Sequence, residues 1–138
     1  MTHSQIPLSI CFQDDGLVIV DKPCGILVHR SGIDAHATTF LMQTLRDQLN
    51  QSVYPVHRLD KATSGLVIFA LSSAVARALS QAFEYGEITK TYEAFVRGHP
   101  PQSLHIDHAL RDEVDSKGRK IKNGTAREAM TELRTLTS

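Results

Sequence analysis

His57-Arg58-Leu59-Asp60-Lys61-Ala62-Thr63-Ser64-Gly65 is the stretch of this 138-residue chain whose residue types make the poorest filler for a simple turn. It sets one carboxylate, Asp60, between two cations, Arg58 and Lys61. A positioned, ionised aspartate can act as a covalent nucleophile or as a general base. Thr63 and Ser64 can close such a loop with side-chain hydrogen bonds, and Gly65 tolerates backbone angles that other residues avoid. The same spacing also fits a plainer arrangement, an exposed Arg58–Asp60 ion pair worth under about 1 kcal/mol. Other chemistry is less well supplied. His105-Ile106-Asp107-His108 is the densest grouping among seven histidines. On a strand it presents His105 and Asp107 to one face, and on a helix His105 and His108. Neither gathers three ligands, so no metal site is expected. Ser64 lacks both a G-x-S-x-G elbow and an evident base, which argues against a serine hydrolase.

The elements that would position Asp60 follow from the flanking pattern. Leu8 to Phe12 and Leu17 to Asp21 are short apolar runs around Gln13-Asp14-Asp15-Gly16, and Asp-Gly between such runs predicts a hairpin. Lys22-Pro23-Cys24-Gly25 breaks the chain before a further strand candidate, Ile26 to His29. Phe40, Leu41, Leu45 and Leu49 recur at helical spacing, with Thr38 or Thr39 as cap. Val53 to His57 reads as extended, with Pro55 tolerated only at an edge or strand start. Gly65 to Leu71 is nearly continuously apolar, which suggests a strand buried on both faces. Ser72 can cap a helix bearing Val75, Ala76, Leu79 and Phe83, stopped at Gly86. Ile88 to Val96 reads as a strand with Lys90 and Tyr92 on one face, ended by His99-Pro100-Pro101. The last third is looser, with one strand expected within Glu128 to Leu136. The order predicts an α+β fold with a mixed, mostly antiparallel sheet and flanking helices.

Composition sets the outer limits. A chain of this length suits one domain and can bury roughly two-thirds of its unfolded surface. At 41% hydrophobic and 22% charged residues it is ordinary for a globular protein. No apolar run nears the roughly 20 residues of a membrane span, and Met1 to Ile10 lacks a secretory pattern. Two cysteines, Cys11 and Cys24, read as reduced core or near-core thiols of a cytoplasmic protein. Fifteen basic and fifteen acidic residues leave no global footprint for nucleic acid. Lys117, Arg119, Lys120, Lys122 and Arg127 form a local basic run, either a solvated loop or a phosphate contact.

Residues 57–65 match every specified position of the H-R-L-D-x-x-T-S-G signature, and on them the chain resembles the RluA-type pseudouridine synthases. Lys90-Thr91-Tyr92-Glu93-Ala94-Phe95-Val96-Arg97-Gly98 is similar to that family's K-x-Y-x-A-x-V-x-G motif. Asp21-Lys22-Pro23-Cys24-Gly25 with Leu27-Val28-His29 is similar to its early K-P-x-G segment. The resemblance implies a pseudouridine synthase fold and an enzyme that isomerises uridine in structured RNA without cofactor or metal. It implies Asp60 as the catalytic nucleophile or base, Tyr92 against the target base, Arg58 in displacing the base or holding phosphate, and His57 and Lys90 as further RNA contacts. Such an enzyme must extrude its base at a cost of a few kcal/mol, and stacking worth about 1–3 kcal/mol offsets part of it. Leu27 to Ser31 and Met42 to Gln48 look like the family's synthase C subgroup, the type acting at uridine 65 of tRNA. Ribosomal RNA is the alternative substrate.

One departure qualifies the match. The family continues with a G-R-x-H-Q-hydrophobic-R motif that supplies a basic partner for the aspartate, and residues 101–138 contain nothing like it. Thr125 to Thr131 resembles instead the strand that precedes that motif. The chain also stops at Ser138, directly after a strand candidate. The expectation is therefore that residues 1–138 are the N-terminal part of an incomplete catalytic domain, lacking part of the site and inactive alone. A non-catalytic RNA-binding fragment is the rival from another class.

Overall fold

In the computed structural model, residues 6–28, 40–111, 119–120 and 124–137 are described. β1 (Ser9–Gln13) and β2 (Leu17–Lys22) form the hairpin that Asp14-Asp15-Gly16 predicts, paired antiparallel with a bulge between Ile10 and Phe12. Its turn is held by one side chain. Asp14 Oδ1 accepts the N–H groups of Gly16 and Leu17, each at 2.8 Å, an Asx-type closure. β3 (Tyr54–Pro55) and β4 (Gly65–Ala70) complete a four-stranded antiparallel sheet of order β1-β2-β4-β3. Pro55 sits on an edge strand, where its missing N–H costs no ladder bond.

The register places the core. Val18 lies opposite Phe69, Val20 opposite Val67 and Lys22 opposite Gly65, so these share one face of the sheet. Onto that face α1 (Leu41–Leu49) packs Leu41 and Leu45, one turn apart, with Val28, Val53 and Leu59 in the same cluster. Val18, Val20, Val67 and Phe69 are wholly buried. The other face of β4 corrects the expectation of burial on both sides: Leu66 is 60% exposed. The strand is antiparallel, and such a sheet can leave one face wet.

α1 begins without a side-chain cap at Phe40. The N–H groups of Leu41 and Met42 donate instead to the carbonyls of Leu27 and Val28, at 2.7 and 2.8 Å. Thr38 and Thr39, the expected caps, lie outside the described residues. The strand expected over Ile26 to His29 is reduced to one parallel bridge, Leu27 with Phe40. Its carbonyls serve the helix start, so they cannot serve a ladder; His29 is outside the described residues. α2 (Ser73–Glu84) has the expected cap, with Ser72 Oγ accepting the Val75 N–H at 3.3 Å. It ends at Gly86, φ +69°.

The chain divides into two compact units, Met1–Lys90 and Thr91–Ser138. In the second, β5 (Ser103–Asp107) pairs antiparallel with β8 (Met130–Arg134), and β6 (Leu110–Arg111) with β7 (Ala126–Arg127). β8 falls inside the expected span. β5 is a strand not among those expected from the sequence, although Leu104 and Ile106 alternate with Ser103, His105 and Asp107 at the strand period. The strand expected over Ile88 to Val96 pairs with nothing among the described residues. Alternating apolar residues make a segment able to pair, but a strand exists only with a neighbour. The α+β class with antiparallel strands holds, distributed over three sheets. The expected buried thiols do not: Cys11, beside the β1 bulge, and Cys24, in the turn after β2, are both free and exposed. No helix among the described residues is long and apolar enough to cross a membrane.

Candidate active site

The segment carrying Asp60 leaves edge strand β3 and enters central strand β4. From His57 to Asp60 exposure alternates, with His57 half-buried, Leu59 buried and Arg58 and Asp60 exposed; Lys61, Ala62 and Ser64 are also exposed and Thr63 is half-buried. The inward residues are each fastened. His57 Nε2 accepts the N–H of Ile68 in β4 at 2.9 Å. Its ring stacks on Phe83 of α2, centroids 4.6 Å apart and planes 25° apart. Burial holds the His57 pKa below its ordinary value, with the Lys90 charge as a second cause. The imidazole is therefore neutral, and its proton is assigned to Nδ1 because Nε2 is an acceptor. Leu59 enters the core cluster. Gly65, φ +131°, makes the sharp entry into β4 in a region that L side chains rarely adopt.

Beyond Asp60 the fastening comes from β2. Lys22 occupies the third inward position after Val18 and Val20 and is wholly buried. Its Nζ donates to the carbonyls of Ile26 (2.8 Å), Pro23 (3.0 Å) and Lys61 (3.2 Å). An ammonium has three donors, and here all three are used, which makes burying the charge tolerable. Burial still lowers its pKa, opposed by electrostatic interaction with Cys24 and Asp60. Lys61 O also accepts the Gly25 N–H at 2.7 Å, and Thr63 N–H donates to Asp60 O at 3.0 Å. Gly25, φ +93°, is the turn that lets the 22–26 segment reach this loop.

Among the described residues Arg58 and Asp60 form no ion pair. The plainer arrangement that their spacing allowed is thus not the one formed. The Asp60 carboxylate faces solvent on a loop fixed from both sides, the condition a nucleophile or base needs. Lys90 is exposed at the end of the first unit, and Tyr92, in the second, is 59% exposed. No group of three His, Cys, Asp or Glu that could hold a metal occurs among the described residues; His105 meets Glu132 across β5 and β8 at 3.9 Å. Of the basic run, Arg119, Lys120 and Arg127 are exposed, while Lys117 and Lys122 lie outside the described residues.

Residues 16–138 match the family model for RNA pseudouridylate synthase. The chain belongs to that family. The synthase motifs at 57–65 and 90–98 both fall inside the matched span. Among its relatives, tRNA pseudouridine synthase C of Vibrio cholerae is 47% identical over 131 residues, covering 94% of this chain and 54% of that protein. Its counterpart in Yersinia pestis is 53% identical over 108 residues, 78% of this chain and 42% of that one. The chain spans about half the length of the curated relatives it matches. The solved structure of human RNA pseudouridylate synthase domain containing 1 superposes with a TM-score of 0.68 at 27% identity, over 92% of this chain and 51% of that one. Human RNA pseudouridylate synthase domain containing 4, at 22% identity and a TM-score of 0.64, shares the fold.

Lys22 is the residue behind the candidate site that the sequence motifs marked without explaining. Strand alternation carries its signal: Val18, Val20 and Lys22 fall on one face, so a lysine is sent inward where an apolar residue is the rule.

Proposed function

We propose that this chain carries the catalytic aspartate of a pseudouridine synthase acting on tRNA, at a uridine of the position-65 type, in the cytoplasm. The supporting observation is Asp60 itself: exposed, unpaired with Arg58, and fixed by its neighbours on both sides. The curated relatives that carry tRNA in their names support the substrate. In this reading Asp60 attacks the target nucleotide or takes a proton from its sugar. The carbon–nitrogen glycosidic bond breaks, the uracil turns and bonds the sugar through its C5, and the C5 proton is lost while N1 gains one, so the reaction is an isomerisation and consumes no co-substrate. Tyr92 stacks on the extruded base, and Arg58 and Lys90 meet base or phosphate. The experiment is pseudouridine formation in tRNA transcripts by the chain and by its Asp60→Ala variant, with RNA affinity measured in parallel. Relative to whatever turnover the chain retains without the third motif, the variant is expected to fall by about 10²–10⁴-fold, the range one positioned acid–base group supplies, at unchanged affinity. An equally active variant sinks the assignment of Asp60. Binding without turnover by the unaltered chain fits both the incomplete catalytic domain and the RNA-binding fragment, and Asp60→Ala in a full-length relative carrying the same signature then decides between them.

A further inference from the structure

We propose that Lys22 and His57 are positioning residues for Asp60, Lys22 acting as an ammonium and His57 as a neutral imidazole. The proposal rests on the reading of Asp60 as the reacting group.

The geometry divides the loop into an outward and an inward set. Arg58, Asp60 and Ser64 are exposed, whereas His57, Leu59 and the Lys61 carbonyl each meet a partner behind the loop. Two of those partners depend on a titratable side chain. On the N-terminal side, His57 ties the loop to the middle of β4 through the Ile68 N–H, and Phe83 covers one face of its ring. A ring committed inward in this way belongs to the scaffold, not to the RNA-contacting role that family resemblance implies for it. On the C-terminal side, Lys22 clasps Lys61 O together with Pro23 O and Ile26 O, and the Gly25 N–H closes on the same Lys61 carbonyl. Asp60 lies between these two clasps.

Their charge requirements are opposite. Protonated His57 has no lone pair on Nε2 and cannot accept from Ile68; the groups facing it are Phe83 from α2, the β4 backbone and the Lys90 charge. Neutral Lys22 loses the charge that makes its three bonds strong; the titratable groups facing it are Cys24 and Asp60. Both pKa values are lowered by burial. The loop is therefore held within a pH window, opened on the acid side by His57 and on the alkaline side by Lys22.

Amide hydrogen exchange by NMR on the 138-residue chain tests this without requiring turnover. Lys22→Met is expected to speed exchange at Gly25 and Thr63 by roughly 10- to 100-fold, as loss of charge-assisted bonds does. His57→Phe, which keeps the stack on Phe83, is expected to speed Ile68 by about 3- to 10-fold. The core amides of Val18, Val20 and Val67 should keep their rates, and Lys22→Arg and His57→Gln, which retain donor and acceptor, should restore the loop. In the unaltered chain, acidification should shift the Thr63 amide resonance with an inflection below pH 6.5, absent in His57→Gln; this arm survives any variant that fails to fold. Loop rates unchanged in the Met and Phe variants, core rates rising equally, or a Thr63 resonance blind to acid each overturn the proposal. In tRNA conversion, positioning lowers kcat and leaves KM. A chain that shows the exchange pattern while Asp60→Ala leaves its tRNA conversion unchanged refutes the reaction assigned to Asp60 and leaves the anchoring intact.

Discussion

Residues 57–65 and residues 90–98 both carry a family signature, yet the first segment is fastened on both sides of Asp60 while the second pairs with nothing among the described residues. In the first, Leu59 is 7% exposed and the central strand that follows is wholly buried at Val67 and Phe69. In the second, Tyr92, Phe95 and Val96 are all more than half exposed. The two motifs are equally legible as strings of letters. What separates them is supply of partners: the Asp60 loop has β2, β4 and α2 around it, whereas extended backbone at 88–96 needs a neighbouring strand to complete its hydrogen bonds. A signature thus records which side chains the chemistry wants, and the surrounding elements decide whether they are held.

That contrast can be broken most directly through stability. Phe69→Ala should cost about 3–5 kcal/mol, as deletion of a buried ring does. Phe95→Ala should stay within about 0.5 kcal/mol, since a surface change touches no packed feature. Urea unfolding of both variants measures the difference, and equal costs would show that residues 88–96 are packed after all. A smaller effect separates holding from binding. Tyr92→Ala should leave the urea midpoint where it is and weaken affinity for tRNA by roughly 5- to 150-fold, the loss of one base stack at about 1–3 kcal/mol. Unchanged affinity would remove Tyr92 from the proposed interface. The smallest effect is a pH dependence confined to the fastened segment. His57 has its pKa lowered on folding from 6.5, so just below that pH the unfolded chain binds more protons than the native one. Its contribution is complete above pH 6.5, declines as pH falls toward the lowered native value, and changes no further below it. The urea midpoint of the native chain should fall through that window more steeply than that of His57→Phe; parallel curves would place His57 outside the stabilising set.

How far the sequence could be read differs by element. The β1–β2 hairpin was legible because Asp14-Asp15-Gly16 acts locally: one carboxylate closes the turn on its own neighbours. α2 was legible for the same reason, its cap lying at Ser72 and its stop at Gly86. The strand expected at Ile26 to His29 failed because its carbonyls were claimed by the start of α1, a partner 13 residues away for Leu27 and Phe40. Burial on both faces of β4 failed because apolarity does not reveal what covers a sheet, and Leu66 is left open. At the site, Asp60 was marked by its motif, but so was an Arg58–Asp60 ion pair that does not form.

Residue order alone settled which carboxylate stands in the signature, where the turns fall, and which strand positions face the same way, since each depends on contacts within a few residues. Only folding in three dimensions settled that Lys22 is the clasp behind Asp60, 39 positions away from the Lys61 carbonyl it holds. It likewise settled that His57 turns inward to β4, and that residues 90–98 stay exposed. Those outcomes rest on hydrogen bonds and burial between segments far apart in the chain, and no local pattern encodes which distant group will arrive to accept a proton or cover a ring.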